Sequence, residues 1–332
     1  MSRTATTPGD YWAGYRFAPR LIAAAESAVW VVESHLPLLA RIDSRTRAVS
    51  GPRAVGHGDP AGRGAHDVLA CGDAVWIRWS DGITRYEPAD DEERWVELSA
   101  AGLAAGDAGV WALTGDGRLA RVNPEGDGYE PLGEPEVRRH SIAVGHGAVW
   151  ALTWTHVPGG STLARIDPAS GRVEGQLQVP GSPRQILVDT NLVHVRVWRR
   201  DSRDRVEELL LGVDPRTAEA TTELRLSPAG AGGVVRDGVV WAPDIDPYSH
   251  EDRGAPSSVR RIDAGTGELL GAVEVPGWIT AMSAGESGVW GCLERRGESD
   301  DAAIALTADG PLQTVELCDL DIAEHLPERR RR

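Results

Sequence analysis

The chain has 332 residues, of which 41% are apolar and 26% charged, a composition typical of a globular protein rather than a disordered one. Its 39 glycines and 21 prolines favour a fold with many turns. The formal charge of −15 repels phosphate backbones and anionic lipid headgroups, so we expect neither nucleic acid nor membrane as a partner.

The cysteines and the N-terminal sequence indicate in which cellular compartment the protein is expected. Cys71, Cys292 and Cys318 are widely spaced and form no CxxC pair, which argues against a disulfide framework and against a zinc site. The first residues contain no apolar signal-peptide core, and no apolar run approaches the roughly eighteen residues of a membrane span. We therefore expect a cytoplasmic protein with free thiols, and a monomer.

In chain order, the sequence repeats a signature of a small residue, valine and tryptophan. The seven copies are Val29-Trp30, Val75-Trp76, Val110-Trp111, Val149-Trp150, Val193-His194, Val240-Trp241 and Val289-Trp290. Successive aromatic positions, here called the tryptophan slot, lie 35 to 49 residues apart. This spacing is typical of one four-stranded propeller blade and is too long for most helical repeats.

Each copy also contains the same internal order of short strands, most clearly the fourth. There SIAVG, AVWALTW, TLARID and GRVEGQLQV alternate with turn residues. An Asp-Pro-like turn separates the third and fourth strands, as in IDPASG at 166–171 and VDPRT at 213–217. The sequence predicts an all-β, seven-bladed β-propeller with four antiparallel strands per blade. We expect residues 1–18 to be an N-terminal segment, 19–318 the propeller and 319–332 a C-terminal tail.

The tryptophans of the slot are predicted to be core, because an indole fills the space between adjacent blades. His194 occupies the same slot and is expected to be a core histidine with its hydrogen bonds satisfied. The last copy supplies its own fourth strand at Leu312–Leu317, so the ring is expected to close without strand exchange. The alternative is that Tyr11–Phe17 adds to an edge of the last blade.

Insertions are concentrated in one class of loop. Connections between second and third strands grow in blades four to seven, as in PDIDPYSHEDRGAPS, whereas those between first and second strands stay short. Long loops on a rigid scaffold are where binding and catalytic groups usually lie. The functional site is therefore predicted on that face, over the central channel.

Counting residues from the tryptophan slot of each copy identifies two rings of candidate residues. Ten positions before it stand Arg20, His66, Ala101, His140, Arg184 and Ala231, with Trp278 as the expected counterpart in a longer seventh copy. Three or four positions after it stand Glu33, Trp79, Trp154, Trp198, Asp244 and Glu294. Both rings are predicted to border the mouth of the channel.

These residue types match a small set of chemical roles. Glu294, Glu33 and Asp244 are candidate ligands for a divalent metal such as Mg²⁺, and His140 or His66 is a candidate general base. Candidate substrate-binding residues are Arg20 and Arg184, for an anionic group, and Trp79, Trp154, Trp198 and Trp278, for stacking. The alternative interpretations are charges that merely pair with one another and tryptophans that pack loops.

The repeats resemble those of the streptogramin B lyase (virginiamycin B lyase) family in the segments VWVVESHLPLLARID, GAHDVLACGDAVW and RHSIAVGHGAVWALTW. The resemblance implies a seven-bladed propeller that opens a cyclic lactone by elimination, with a histidine base and glutamates that hold magnesium. Glu294 matches a metal-binding glutamate of that family. His66 and His140 match the position of its histidine in other blades only, since Trp278 lies near that position in the last blade.

Two functions follow as hypotheses. The first is an enzyme of lyase or cyclase type that acts at the channel mouth on a small-molecule or peptide-like substrate, with His140, His66 and Glu294 as catalytic residues. A tailoring reaction of secondary metabolism would fit it. The second is a non-catalytic propeller that binds a ligand or protein on the same face.

Overall fold

A computed structural model describes residues 17–33, 36–56, 64–132, 139–153, 160–200, 206–226, 233–244, 257–295, 302–307 and 313–317. For residues 139, 140, 200, 206 and 313 it describes the backbone alone. In this part of the chain every regular element is a β-strand, and no helix is long and apolar enough to cross a membrane.

The 28 strands form seven sheets of four, each built from consecutive strands in antiparallel order. Blades one to four comprise β1 (Pro19–Ala24), β2 (Ala28–Glu33), β3 (Leu38–Asp43) and β4 (Val49–Ala54); β5 (Asp67–Cys71), β6 (Ala74–Arg78), β7 (Ile83–Glu87) and β8 (Glu92–Val96); β9 (Ala100–Gly106), β10 (Gly109–Thr114), β11 (Leu119–Val122) and β12 (Tyr129–Leu132); β13 (Arg139–Gly145), β14 (Ala148–Thr153), β15 (Thr162–Ile166) and β16 (Val173–Gln178). Blades five to seven comprise β17 (Ser182–Val188), β18 (Val193–Arg200), β19 (Val206–Val213) and β20 (Ala220–Leu226); β21 (Val234–Arg236), β22 (Val239–Asp244), β23 (Ser257–Asp263) and β24 (Leu269–Val275); β25 (Trp278–Gly285), β26 (Gly288–Glu294), β27 (Ala302–Leu306) and β28 (Gln313–Glu316). The predicted seven-bladed propeller is confirmed.

The core lies between blades, where the second strands of neighbouring sheets pack face to face. Second strands are buried on both sides, as in β2, whereas outer strands such as β16 alternate between exposed and half-buried residues. The six tryptophans of the slot are at most 7% exposed, and Trp150 of blade four packs in one cluster with Val195 and Leu211 of blade five. The predicted core role of these tryptophans is confirmed.

An arginine stands opposite the tryptophan of the slot in most blades. On the third strand, the register partners are Arg41 for Trp30, Arg85 for Trp76, Arg121 for Trp111, Arg165 for Trp150 and Arg261 for Trp241. In blades one, two and six the guanidinium carbon lies 5.9, 5.9 and 5.4 Å from the centre of the indole. These distances are typical of a cation–π contact.

The ring closes between blades seven and one, and no strand is exchanged there among the residues that the structure describes. Each innermost strand contacts the next one around the channel, and β1 contacts β25. Phe17 precedes β1, is 0% exposed and packs in one cluster with Trp290 and Leu317 of blade seven. Blade seven therefore supplies its own fourth strand, as expected, and Phe17 adds a side chain to this seam. The alternative that Tyr11–Phe17 adds a strand falls on residues 11–16, which lie outside the described part.

The seam between blades five and six differs from the others. His194 is 1% exposed, and neither ring nitrogen has a hydrogen-bond partner among the described residues. Burial lowers the pKa of His194 and keeps the imidazole neutral. His194 is thus a core residue as expected, but no described residue satisfies the hydrogen bonds of its ring.

Arg196, two residues further along the same strand, makes this seam polar. Arg196 Nε donates to Glu208 Oε1 at 2.6 Å, and the two side chains are 4% and 0% exposed. Arg196 also donates to Gln185 Oε1, and Gln185 Nε2 donates to the carbonyl oxygen of Gly233 in blade six. A chain of buried polar contacts therefore joins the two blades where the others are joined by an indole.

Candidate functional site

The long connections lie on one face of the ring, here called the loop-rich face. Second-to-third connections cover 154–161, 201–205, 245–256 and 295–301, and the first blade-to-blade connection covers 55–66. Because strands alternate in direction, these connections join strand ends at the same face. The opposite face carries connections as short as 72–73, 146–147 and 237–238. The predicted growth of loops on this face is found in blades four, six and seven and in the first blade-to-blade connection. In blade five it is not, because β18 and β19 extend into the predicted loop and leave only 201–205 between them.

A β-bulge accounts for the ring of residues ten positions before the slot. In five blades the pairing between the first and second strands shifts by one residue, so that one residue of the first strand has no partner on the second. These unpaired positions are Arg20, Ala101, His140, Arg184 and Thr280. A bulge re-aims the side chain of the extra residue, and this one lies where each strand leaves the loop-rich face. The fold therefore presents an irregular residue at the channel mouth in at least five blades.

The seventh blade corrects one assignment. Its bulge falls on Thr280, which is ten residues before Trp290, so the seventh copy is not longer than the others at this point. Trp278 lies two residues earlier, partly exposed, in register with Glu294. The choice of Trp278 as the counterpart of Arg20 is wrong, because it assumed an insertion that the register excludes.

Arg20 and Glu294, the predicted substrate anchor and the predicted catalytic glutamate, bind each other. Arg20 Nη1 donates to Glu294 Oε2 at 2.6 Å across the seam of blades one and seven. Their side chains are 27% and 18% exposed. Much of the charge that either would offer a ligand is neutralised within the protein.

The other two carboxylates predicted to bind metal are also engaged. Glu33 is 0% exposed and accepts a hydrogen bond from the backbone N–H of Leu36, and Asp244 forms an ion pair with Arg260. Nowhere in the described ranges do three or more His, Cys, Asp or Glu side chains group closely enough to hold a metal ion. The side chains that are described therefore do not fit the magnesium site that the sequence predicted.

The predicted stacking tryptophans fall into three groups. Trp79 is 1% exposed, packs with Trp30 and Ile77, and donates its indole N–H to Thr84 Oγ1 at 2.9 Å. Its predicted role in ligand stacking is wrong, because the indole fills the seam of blades one and two. Trp154 and the side chain of His140 lie outside the described part, and Trp198 and Trp278 keep some exposure.

Arg184 and Trp198, both predicted to bind substrate, are brought together on blade five. The guanidinium carbon of Arg184 lies 3.7 Å from the centre of the Trp198 indole, close enough for a flat stack. Arg184 is exposed and forms no ion pair in the part of the chain that the structure describes. Its N–H groups therefore face solvent from a guanidinium that the indole holds in place.

A further pair, His66 and Asp67, lies at the mouth of blade two. Asp67 Oδ2 is 3.9 Å from Arg78 Nε, and Arg78 donates to the backbone carbonyls of His66 and Ala100. The Asp67 side chain is 38% exposed, yet the surrounding innermost strands desolvate it and raise the pKa of its carboxyl to about 6. Partial burial, and then the charge of Arg78, lower the pKa of His66.

The sequence analysis missed Asp67. A signal for it exists in the hairpin around Gly72-Asp73, which places Asp67 in register with Arg78. A carboxylate and an arginine at matching distances from a tight turn would have indicated this pair.

Comparison with known proteins shows the fold alone. No protein-family model matches the sequence, and no curated protein matches it either. Among solved structures, the chain is similar to hydrazine synthase of Kuenenia stuttgartiensis, with 11% identity, a TM-score of 0.66 and coverage of 89% of this chain and 97% of that one. It is also similar to the Cps50 (Swd1) propeller of Myceliophteria thermophila, with 11% identity, a TM-score of 0.64 and coverage of 88% and 98%.

A third similar structure is the Pan2 WD40 domain of Neurospora crassa, with 11% identity, a TM-score of 0.56 and coverage of 87% and 88%. The similar structures thus include both an enzyme and a WD40 propeller, and at these identities they share architecture rather than activity. The resemblance to the streptogramin B lyase family stays a prediction.

Proposed function

We propose that this propeller is a binding module that holds a ligand carrying a carboxylate or phosphate group at the loop-rich face. The observation that carries the proposal is the stack of Arg184 on Trp198, with 3.7 Å between the guanidinium carbon and the ring centre. A guanidinium held flat can offer two parallel N–H donors to one anionic group, and the indole edge offers apolar contact beside it.

The charges of neighbouring residues support the same assignment. Arg20 forms an ion pair with Glu294, and Asp244 forms one with Arg260, so these charges are compensated within the loop-rich face. Arg184 is left as an exposed cation on a protein of net charge −15. The long-range field disfavours polyanions, which directs the proposal to a small molecule or peptide-like ligand with a single anionic group.

Replacing Arg184 with alanine is expected to abolish this binding. Two tripeptide libraries serve as probes, one with free C-terminal carboxylates and one amidated, and both are measured by thermal shift. A ligand that binds only the folded state raises the melting temperature. We expect at least one carboxylate peptide to raise it in the wild type, its amidated counterpart to have little effect, and Arg184→Ala to remove the shift.

Arg216→Ala is the matched control, because Arg216 is also an exposed arginine of blade five but lies in a turn on the opposite face. The control should keep the shift of the wild type. If no peptide in either library shifts the wild-type protein, or if the hits shift Arg184→Ala equally, the proposed site is wrong.

A second function, acid–base chemistry of the lyase or cyclase type, is favoured by the carboxyl of Asp67. A group with a pKa of about 6 beside an exposed histidine can exchange protons near neutral pH. In this proposal Asp67 is the acid or base that acts on a substrate at the mouth of blade two, and the exposed His66, next to it in the chain, contacts the substrate.

The titration of Asp67 tests this second function. The carboxyl signal of Asp67, assigned in ¹³C-labelled protein through its loss in Asp67→Asn, is expected to titrate near pH 6. Because its folded pKa is raised above the unfolded value, the charged form destabilises the fold. Asp67→Asn should therefore raise the melting temperature more at pH 8 than at pH 5. A midpoint below about 4.5, close to an ordinary aspartate, would remove the basis for this function.

A further inference from the structure

The groove between blades one and two is a second candidate site, separate from the loop-rich face. It has a volume of about 480 Å³ and is lined by Trp30, Leu39, Arg41, Ser50, Gly51, Arg53, Tyr86, Pro88 and Ala89. Trp30 and Tyr86 form its aromatic wall, with ring centres 6.0 Å apart in an edge-to-face arrangement. Each residue is 7% exposed, and the guanidinium carbon of Arg53 lies 4.9 Å from the centre of the Tyr86 ring. This volume lies within the range of pockets that hold small ligands or short peptide segments.

The same position is filled by protein in two other blades. In blade four, Arg165 stands opposite Trp150, and its Nε donates to the carbonyl oxygen of Pro215 in the turn of blade five at 2.8 Å. In blade two, Arg85 packs against Gly126 in the turn of blade three, so closely that a Cβ on Gly126 would lie 2.7 Å from Arg85 Cδ. In these two blades the turn between the third and fourth strands covers the arginine of the blade before it, whereas Arg121 of blade three is exposed.

In blade one the equivalent arginine, Arg41, lies beside the shorter turn of blade two. The turns that cover Arg85 and Arg165 span 123–128 and 214–219, whereas that of blade two spans only 88–91. The shorter turn reaches Arg53 on the outer strand, which pairs with Asp91 and with Glu93 Oε1 at 3.2 Å. No described residue forms a hydrogen bond or an ion pair with the guanidinium of Arg41, which lies over the Trp30 ring.

We infer that this groove binds a turn-forming Asp-Pro segment of a partner protein. Such a segment would present to Arg41 the carbonyl oxygen that Pro215 presents to Arg165, and its proline would lie against the aromatic wall. We infer this ligand from the chain itself, because the Asp214-Pro215 turn of blade five contacts Arg165, the arginine equivalent to Arg41. There Asp214 caps the turn, its Oδ1 accepting the backbone N–H of Arg216 at 2.7 Å.

The test uses the acetylated and amidated heptapeptide GVDPRTA, the sequence of residues 212–218, labelled for fluorescence polarisation. We expect saturable binding to the full-length protein with a Kd below about 1 mM. Arg41→Ala should weaken binding about tenfold, since it removes the charged donor. Ala89→Trp, which adds bulk at the exposed rim of the groove, should block binding without disturbing the core.

Arg121→Ala is the matched control, because Arg121 has the same register position opposite Trp111 in blade three. This variant and a scrambled heptapeptide control for general charge effects. Arg184→Ala controls for binding at the site on the loop-rich face. Binding that survives both Arg41→Ala and Ala89→Trp, or that falls equally in Arg121→Ala, would overturn the inference. The absence of saturable binding to the wild type would overturn it as well.

Discussion

Replacing Glu208 with alanine is expected to lower the free energy of unfolding by about 3–5 kcal/mol, among the largest effects available in this protein. Arg196 and Glu208 are 4% and 0% exposed and form an ion pair at the seam of blades five and six. Removing the carboxylate leaves the buried guanidinium charge of Arg196 uncompensated by Glu208, with the neutral Gln185 Oε1 still accepting one hydrogen bond. The cost comes from the charge left behind rather than from the intrinsic strength of the pair.

Urea unfolding followed by tryptophan fluorescence measures this effect. Replacing both partners, as in Arg196→Met with Glu208→Leu, should recover most of the loss, because no buried charge then remains. Glu316→Ala is the matched control: it breaks the Arg295–Glu316 pair, in which Glu316 is 45% exposed, and should cost no more than about 1 kcal/mol. Equal losses in Glu208→Ala and Glu316→Ala would contradict the prediction.

Phe17→Ala is expected to destabilise the ring by about 3–5 kcal/mol, the range measured when a buried phenylalanine is truncated. Phe17 is 0% exposed and packs between blade one and blade seven, the only seam at which the chain must join its two ends. Among the described strands none is exchanged across this seam, and buried side chains such as Phe17 pack the two blades together.

The midpoint of urea unfolding measures the loss, and hydrogen exchange locates it. Amides of β1 and β25 are expected to exchange faster than those of β13, which lies far from the seam. Tyr129→Ala serves as control, because Tyr129 is 44% exposed and its truncation should cost little. Uniformly faster exchange in all seven blades, or no loss of stability, would show that Phe17 does not close the ring.

The site was less predictable than the fold, and particular residues show why. Counting ten residues back from the slot located Arg20, Ala101, His140 and Arg184, because a bulge recurs at one position of each hairpin. The same count failed to reveal that Arg20 binds Glu294, since the two lie in the first and last blades and are 274 positions apart. Trp79 was misassigned for a similar reason, because its burial depends on the neighbouring blade.

By itself, the sequence determined the number of blades, their four strands and the face on which long loops gather. These features are periodic, and each depends on contacts within a single repeat of 35 to 49 residues. Only the tertiary structure decided which charges neutralise one another, that Trp79 is buried outside the slot, and which arginines are left uncovered. Those outcomes depend on distances between blades, and a local pattern carries no information about distances between parts of the chain that meet only when the ring closes.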